Sequence, residues 1–263
     1  MPTLLGQAYN TYFKRFLQFG HSGNNGTPTS TTSIQAGDGV NTSVSLSDDV
    51  FHVQPQNDDS NQAMLVKNQS GSNILSVDTS SSLVKAGVSQ VNALTMYKDM
   101  GLFDFSPSAG VHNPMVANPM MFSDSGDDIA VDSSMFGTGT DPATTLDISS
   151  DGTPRIAIAS YWYLDNNITI DSVRYMAMAD GSATLNFHIM SYTMDNSTNF
   201  GDLSAGAVHA NASVSAINSG VKTGTFSLDT ANIDLDKVVI GFVENATDTS
   251  DVSVSFQIKY HIR

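Results

Sequence analysis

The sequence predicts a mainly β protein, and three observations carry that prediction. Charged residues make up only 14% of the 263 residues, against about 25% in an average soluble chain. The polar remainder is rich in Ser, Thr, Asn and Gly, residues that bond to nearby backbone and compete with helical pairing. Glutamate, a strong helix former, occurs only at Glu244. Second, short apolar runs recur about every ten residues between positions 44 and 90, separated by Asp and Ser/Gly turns. Third, Val252, Val254, Phe256, Ile258, Tyr260 and Ile262 alternate with polar residues, the period-two pattern of a half-buried strand.

The first element is the exception. Leu5 to Leu17 reads as a short helix, because Leu5, Tyr9, Tyr12, Phe16 and Phe19 fall at helical spacing, with Phe13 beside them. A helix of this length is marginal alone and needs a surface to pack on. It either packs on its own domain or docks the protein to a larger assembly. The segment MPTLLGQAYNTYFKRFLQFG does not read as a secretory signal, since it lacks an early basic region and its only charges, Lys14 and Arg15, fall in the middle. No stretch approaches the ~18 consecutive apolar residues of a membrane span. Residues 21–43, dominated by Gly, Asn, Ser and Thr, read as a connector. Residues 1–43 therefore form an anchoring helix and linker.

Residues 44–90 read as a stem of short strands: Val44–Leu46, Val50–Val53, Ala63–Lys67, Ile74–Val77 and Leu83–Val88. Strands this short cannot bury a face alone; they need a sandwich, a solenoid winding or identical strands from neighbouring subunits. From Val91 to Met100 a short helix is expected, stopped by Gly101. The rest of 91–151, with Pro107, Pro114, Pro119 and a concentration of methionine, reads as an irregular, partly apolar connection that either covers its own domain or reaches another subunit.

Residues 152–263 carry the strongest signals. Strands are expected at Arg155–Leu164, Asn167–Ala179, Ala183–Met194, Val221–Leu228, Lys237–Glu244 and Val252–Ile262, with weaker ones near Leu203–His209 and Ala212–Ile217. Asp180-Gly181 is a favoured tight-hairpin turn. Seven or eight strands in about 110 residues fit an antiparallel sandwich of jelly-roll type.

Composition excludes several chemistries. A formal net charge of -15 without a basic stripe argues against nucleic-acid binding. The absence of cysteine removes disulfides, thiolate metal sites and cysteine nucleophiles. His21, His52, His112, His188, His209 and His261 form no HxH, HxxxH or HExxH arrangement, and no phosphate-cradling glycine loop precedes a helix. Asp124, Asp127 and Asp128 read as a solvated turn, with a weak calcium site as the alternative. No catalytic residue, cofactor or metal is expected, and the chain reads as a non-enzyme. Tyr161, Trp162 and Tyr163 stand together on a strand, as core or interface packing or as an aromatic platform for a glycan.

The stretch MLVKNQSGSNILSVDTSSSLVKAG, Met64 to Gly87, resembles a module of phage fibre and appendage proteins: a strand, a Ser-Gly turn, a strand ending in Val-Asp, a Ser/Thr turn and a third strand. With Leu46 to Gln62 before it, the region resembles N-terminal portions of structural proteins of marine tailed phages. The rhythm of 155–263, with GTFSL and ANIDLDKVVIGF, resembles jelly-roll heads at fibre tips and on capsid decorations. The resemblance implies a virion protein and a homotrimer, in which short strands of three chains wrap a common axis. The expected architecture is thus an N-terminal helix, a short-stranded β stem (intertwined or solenoid-like) and a C-terminal antiparallel jelly-roll-like β-sandwich. The expected role is a fibre or decoration subunit at the particle surface or tail, with the capsid or tail proteins and itself as partners, and neither nucleic acid nor membrane. The alternative is a receptor- or carbohydrate-binding fibre tip whose partner is a host cell-surface glycan. A fibre-borne depolymerase is a third reading.

Overall fold

In the computed structural model of the chain, residues 18–19, 29–35, 40–89, 91–117, 134–147, 159–195, 202–217, 220–247 and 250–263 are described. Of these, 59% are strand and 2% helix, which makes the protein mainly β. The expected helix over Leu5 to Leu17 lies outside the described residues.

Two compact units divide at Leu94/Thr95. The first unit holds two antiparallel meanders. One runs β1 (Gln18–Phe19), β2 (Thr32–Gln35), β3 (Asn41–Leu46) and β4 (Phe51–Val53); the other runs β5 (Met64–Lys67), β6 (Asn73–Asp78), β7 (Leu83–Ala86) and β8 (Val91–Asn92). Strand therefore extends into the stretch expected to be linker. Its Thr and Ser side chains suit a pleated surface, and the Gln35 side-chain amide donates to Asn41 Oδ1 at 2.7 Å across the β2–β3 turn. In the second meander, the buried Asp78 carboxylate accepts from Lys85 Nζ at 2.8 Å and from the Ser81 N–H at 3.0 Å, tying β6 to β7. Lys85 holds that carboxyl below the usual carboxylate range.

The second unit is a β-sandwich. Its strands are β9 (Thr95–Phe105), β10 (His112–Pro114), β11 (Trp162–Tyr163), β12 (Ile168–Ala179), β13 (Ala183–Met194), β14 (Leu203–Ile217), β15 (Lys222–Thr225), β16 (Ser227–Leu228), β17 (Asn232–Ile233), β18 (Lys237–Asn245) and β19 (Val252–Ile262). One sheet has the order β15-β12-β19-β9, with β17 also on β12; the other has the order β10-β18-β13-β14-β16, with β11 also on β18. All pairs are antiparallel, and the pairing is nested: β9 with β19, β10 with β18, β12 with β15, β13 with β14.

Three sequence expectations are corrected here. The expected helix Val91–Met100 is instead β8, a turn at residues 93–94 and the start of β9, because β9 finds a nine-pair partner in β19. Met100 and Leu102 then point into the core, while Gly101 leaves room for the Phe103 ring; a Cβ there would lie 2.8 Å from Phe103 Cε2. The sandwich thus takes two strands from the stretch expected to be an irregular connector. Asp180-Gly181 does not close a hairpin, since β12 and β13 lie in opposite sheets. The turn reverses the chain across the edge of the core, between the small buried residues Ala179 and Ala183. Within the expected strand Arg155–Leu164, only Trp162–Tyr163 is strand, preceded by a helical turn at Ala159–Ser160; residues 155–158 lie outside the described residues.

The core between the sheets is built around Tyr175, Phe187, Phe226 and Phe256. Phe187 lies 4.9 Å from Tyr175 and 5.3 Å from Phe256, and Phe226 lies 4.9 Å from Phe256, centroid to centroid. A second apolar layer covers the outer face of the β18–β13 sheet, where Phe136 and Leu146 of segment 134–147 pack on Met190, Tyr192, Val238, Ile240 and Phe242. That burial on both faces explains the unbroken apolar run of β18. The segment is fastened by the Leu146–Leu203 backbone pair (2.8 and 2.9 Å), the Gly206 N–H donating to Thr144 O (2.9 Å), and Tyr192 Oη donating to Ala143 O (2.9 Å). Of the two readings of the methionine-rich stretch, segment 134–147 covers its own domain.

Gly206 makes the close approach possible: a Cβ there would lie 2.6 Å from Tyr192 Cε1 and 2.8 Å from Thr144 Cα. Gly206→Ala is expected to lift the segment and cost about 1–3 kcal/mol, the usual range for overpacking, measured as a lowered urea midpoint.

Candidate functional site

Burial separates the two units sharply. Every buried apolar residue among the described residues lies at Met100 or beyond; in the first unit the fully buried groups are Ser76 and Asp78. Phe51 is 64% exposed and Ile74 46%, and Met64, Val66 and Val91 are exposed as well. Apart from Met64 these side chains are β-branched or aromatic, in keeping with strand formation, but among the described residues no apolar layer covers the strands of two to six residues in the two four-stranded meanders. Each large apolar side chain left in water forgoes about 1.5–3 kcal/mol.

The structure separates the predicted site residues. Leu5, Tyr9, Tyr12, Phe13 and Phe16 lie outside the described residues, and Phe19 sits on β1 opposite Ile34. Tyr161, Trp162 and Tyr163 do not form one platform. Tyr161 packs against the outer apolar layer beside segment 134–147, and burial raises its pKa, helped by the Asp202 charge. Trp162 turns into the main core, 4.9 Å from the Tyr260 ring. Tyr163 is exposed, and its hydroxyl donates to Asp236 Oδ1 at 2.8 Å.

A polar cluster lies where segment 134–147 meets the sheet. His112 of β10 and His188 of β13 are both buried, with ring centroids 5.2 Å apart in an edge-on arrangement. His112 Nε2 lies 3.0 Å from Gly139 O and His188 Nε2 3.4 Å from Asp141 Oδ1. A carbonyl oxygen only accepts, so His112 Nε2 donates to Gly139 O. Both Nδ1 atoms are buried without a hydrogen-bond partner among the described residues. Glu244 of β18 accepts from Asn186 Nδ2 at 2.8 Å nearby. Burial pushes the His188 pKa down, as does neighbouring His112; Asp141, Glu244 and Asp229 pull the other way.

A third buried histidine holds a bulge. His209 Nδ1 lies 2.8 Å from Thr230 O, so Nδ1 donates and Nε2 accepts from the Ser191 hydroxyl at 2.8 Å. The pairing has the geometry of a serine with its base, but both residues are 5% exposed, too enclosed for a substrate to reach the hydroxyl. It secures the shifted registers of β13 and β14. Burial lowers the His209 pKa.

The sequence treated the histidines singly and so missed both clusters. The signal was present: His188 interrupts FHIMSY, a run apolar enough for burial on both faces, and the lone Glu244 ends another. Among the described residues no group of three or more His, Asp or Glu is placed to hold a metal ion. Asp124, Asp127 and Asp128 lie outside the described residues. No protein-family model matches this chain, and no curated protein is significantly similar to it.

Proposed function

We propose that this chain is a structural subunit of a virus particle, a homotrimer whose stem is completed by neighbouring copies and whose sandwich is a jelly-roll head. The observation that carries the reading is the first unit, whose described residues fully bury no apolar side chain within one chain. Two meanders of short strands become stable when other surfaces cover them, and identical copies are the usual source of such surfaces. The number three rests on the resemblance of Met64 to Gly87 to phage fibre modules.

The jelly-roll assignment is supported by the nested pairing of β9 with β19, β10 with β18, β12 with β15 and β13 with β14. A long hairpin of eight strands folded over on itself yields that nesting, with neighbours alternating between two sheets. Capsid and lectin domains share this architecture. The segment carrying Leu5, Tyr9, Tyr12, Phe13, Phe16 and Phe19 is the anchor in this reading, docking to capsid or tail proteins. The protein works by assembly and needs no catalytic group or cofactor.

Location tests the reading. Gold-labelled antibody raised against the head should decorate purified virus particles at repeated positions on the capsid or tail; particles that stay unlabelled while free protein is captured would contradict it.

A further inference from the structure

The outer face of the β15-β12-β19-β9 sheet carries a groove of about 260 Å3 lined by Tyr97, Ser172, Arg174, Gln257 and Lys259. The register explains why these five converge. Tyr97 of β9 pairs with Lys259 of β19, which pairs with Ser172 of β12; one step along, Asp99 pairs with Gln257 and Gln257 with Arg174. Alternation sends all of them outward, because Ile258 and Val173 between them are buried in the core. Arg174 and Lys259 are diagonal neighbours on adjacent strands, within about 7–8 Å of one another at the backbone.

The chemistry of the lining is unusual for this molecule. The chain has 26 acidic residues and 11 Lys and Arg, yet two cations share this groove and neither forms an ion pair among the described residues. The nearby carboxylates have other contacts: Asp99 accepts from Gln257 Nε2 at 3.4 Å and Asp171 pairs with His261 at 2.9 Å. Two like charges on adjacent strands repel, so an anion between them gains from both. Tyr97 is 58% exposed and supplies an aromatic ring to the lining, while Ser172 and Gln257 add neutral donors and acceptors.

We propose that this groove binds one residue of a carboxylate-bearing saccharide. The planar Arg174 fork matches a carboxylate in two parallel hydrogen bonds, and Lys259 adds a compact second charge. Ser172 and Gln257 face the ring hydroxyls, and the apolar side of the sugar lies on Tyr97. The volume falls below the ~300–1,000 Å3 of pockets for drug-sized ligands, which suits one sugar ring. All five residues come from one sheet of one chain, so the site stands independently of the particle assignment.

Saturation-transfer NMR and calorimetry on the full chain test it, with D-glucuronate, D-glucose, acetate and alginate (a uronate polymer) as probes. Glucuronate should bind at least tenfold more tightly than either glucose or acetate. Arg174→Gln and Lys259→Gln should each weaken it at least tenfold with an unchanged thermal midpoint, and Tyr97→Ser severalfold. Alginate binding that depends on Arg174 supports a polymeric ligand, and binding of the free sugar alone supports a monomeric one. Absence of uronate binding, acetate binding as tightly as glucuronate, or an Arg174→Gln protein that binds like the original would each overturn the assignment.

Discussion

Phe187→Ala is expected to lower the stability of the sandwich by about 3–5 kcal/mol, the range for removing a buried phenylalanine. Phe187 is fully buried on β13, and its ring meets Tyr175 and Phe256 from the opposite sheet and Phe226 from the chain crossing between sheets. Truncation removes its transfer free energy and leaves a void that four strands line. Those strands are held by long registers, β12 with β19 and β13 with β18, so the walls cannot collapse far. Domains are stable by only about 5–15 kcal/mol, so the loss is a large fraction of the total. A shift of the urea midpoint, at constant slope, measures it; Phe187→Leu should cost distinctly less because it refills most of the volume.

Acidification is expected to produce the second large effect. Burial lowers the pKa of His188 and His209 in the folded protein, whereas in the unfolded chain both titrate near the ordinary value of ~6.5. As pH falls through that value the unfolded state takes up protons first, so stability is fully present above pH ~7 and declines below ~6.5. The decline is up to about 1.4 kcal/mol per pH unit for each histidine, and it levels off only once the lowered folded values are reached. Groups from every surrounding element face His188: His112 of β10, Glu244 of β18, Asp141 of segment 134–147 and Asp229 after β16. Protonation of His188 would add a charge 5.2 Å from the His112 ring and an Nδ1 hydrogen with no acceptor among the described residues. Urea midpoints compared between pH 7.5 and pH 5 read the effect, and the double variant His188→Gln, His209→Gln should flatten the dependence. Stability that holds or rises below pH 6.5 would refute this account of the histidines.

The fold was written in the sequence wherever a strand carries strict alternation or a long apolar run. Ala183–Met194 and Val252–Ile262 have the expected limits to the residue, because alternation or a long apolar run leaves one choice. The strand from Thr95 to Met100 was not readable: Tyr97, Lys98 and Asp99 are compatible with a helix, and only the free edge of β19, some 160 residues later in the chain, makes them a strand. Asp180-Gly181 specifies a reversal but not the pairing partner, so a crossover between sheets looked like a hairpin. The aromatic triplet 161–163 was visible as a feature, yet its division between two cores depends on segment 134–147, whose folding back is nonlocal. The outer groove was out of reach for the same reason: Tyr97, Arg174 and Lys259 are far apart in the chain and meet only through the register of β9, β19 and β12.

The central claim is that the first unit is completed by other copies of the chain. Light scattering coupled to size exclusion, on full-length protein at micromolar concentration, tests it most directly. A single species at three times the 27.9 kDa chain mass is the predicted result; a folded species at 27.9 kDa, with its first unit protected from protease, would contradict it.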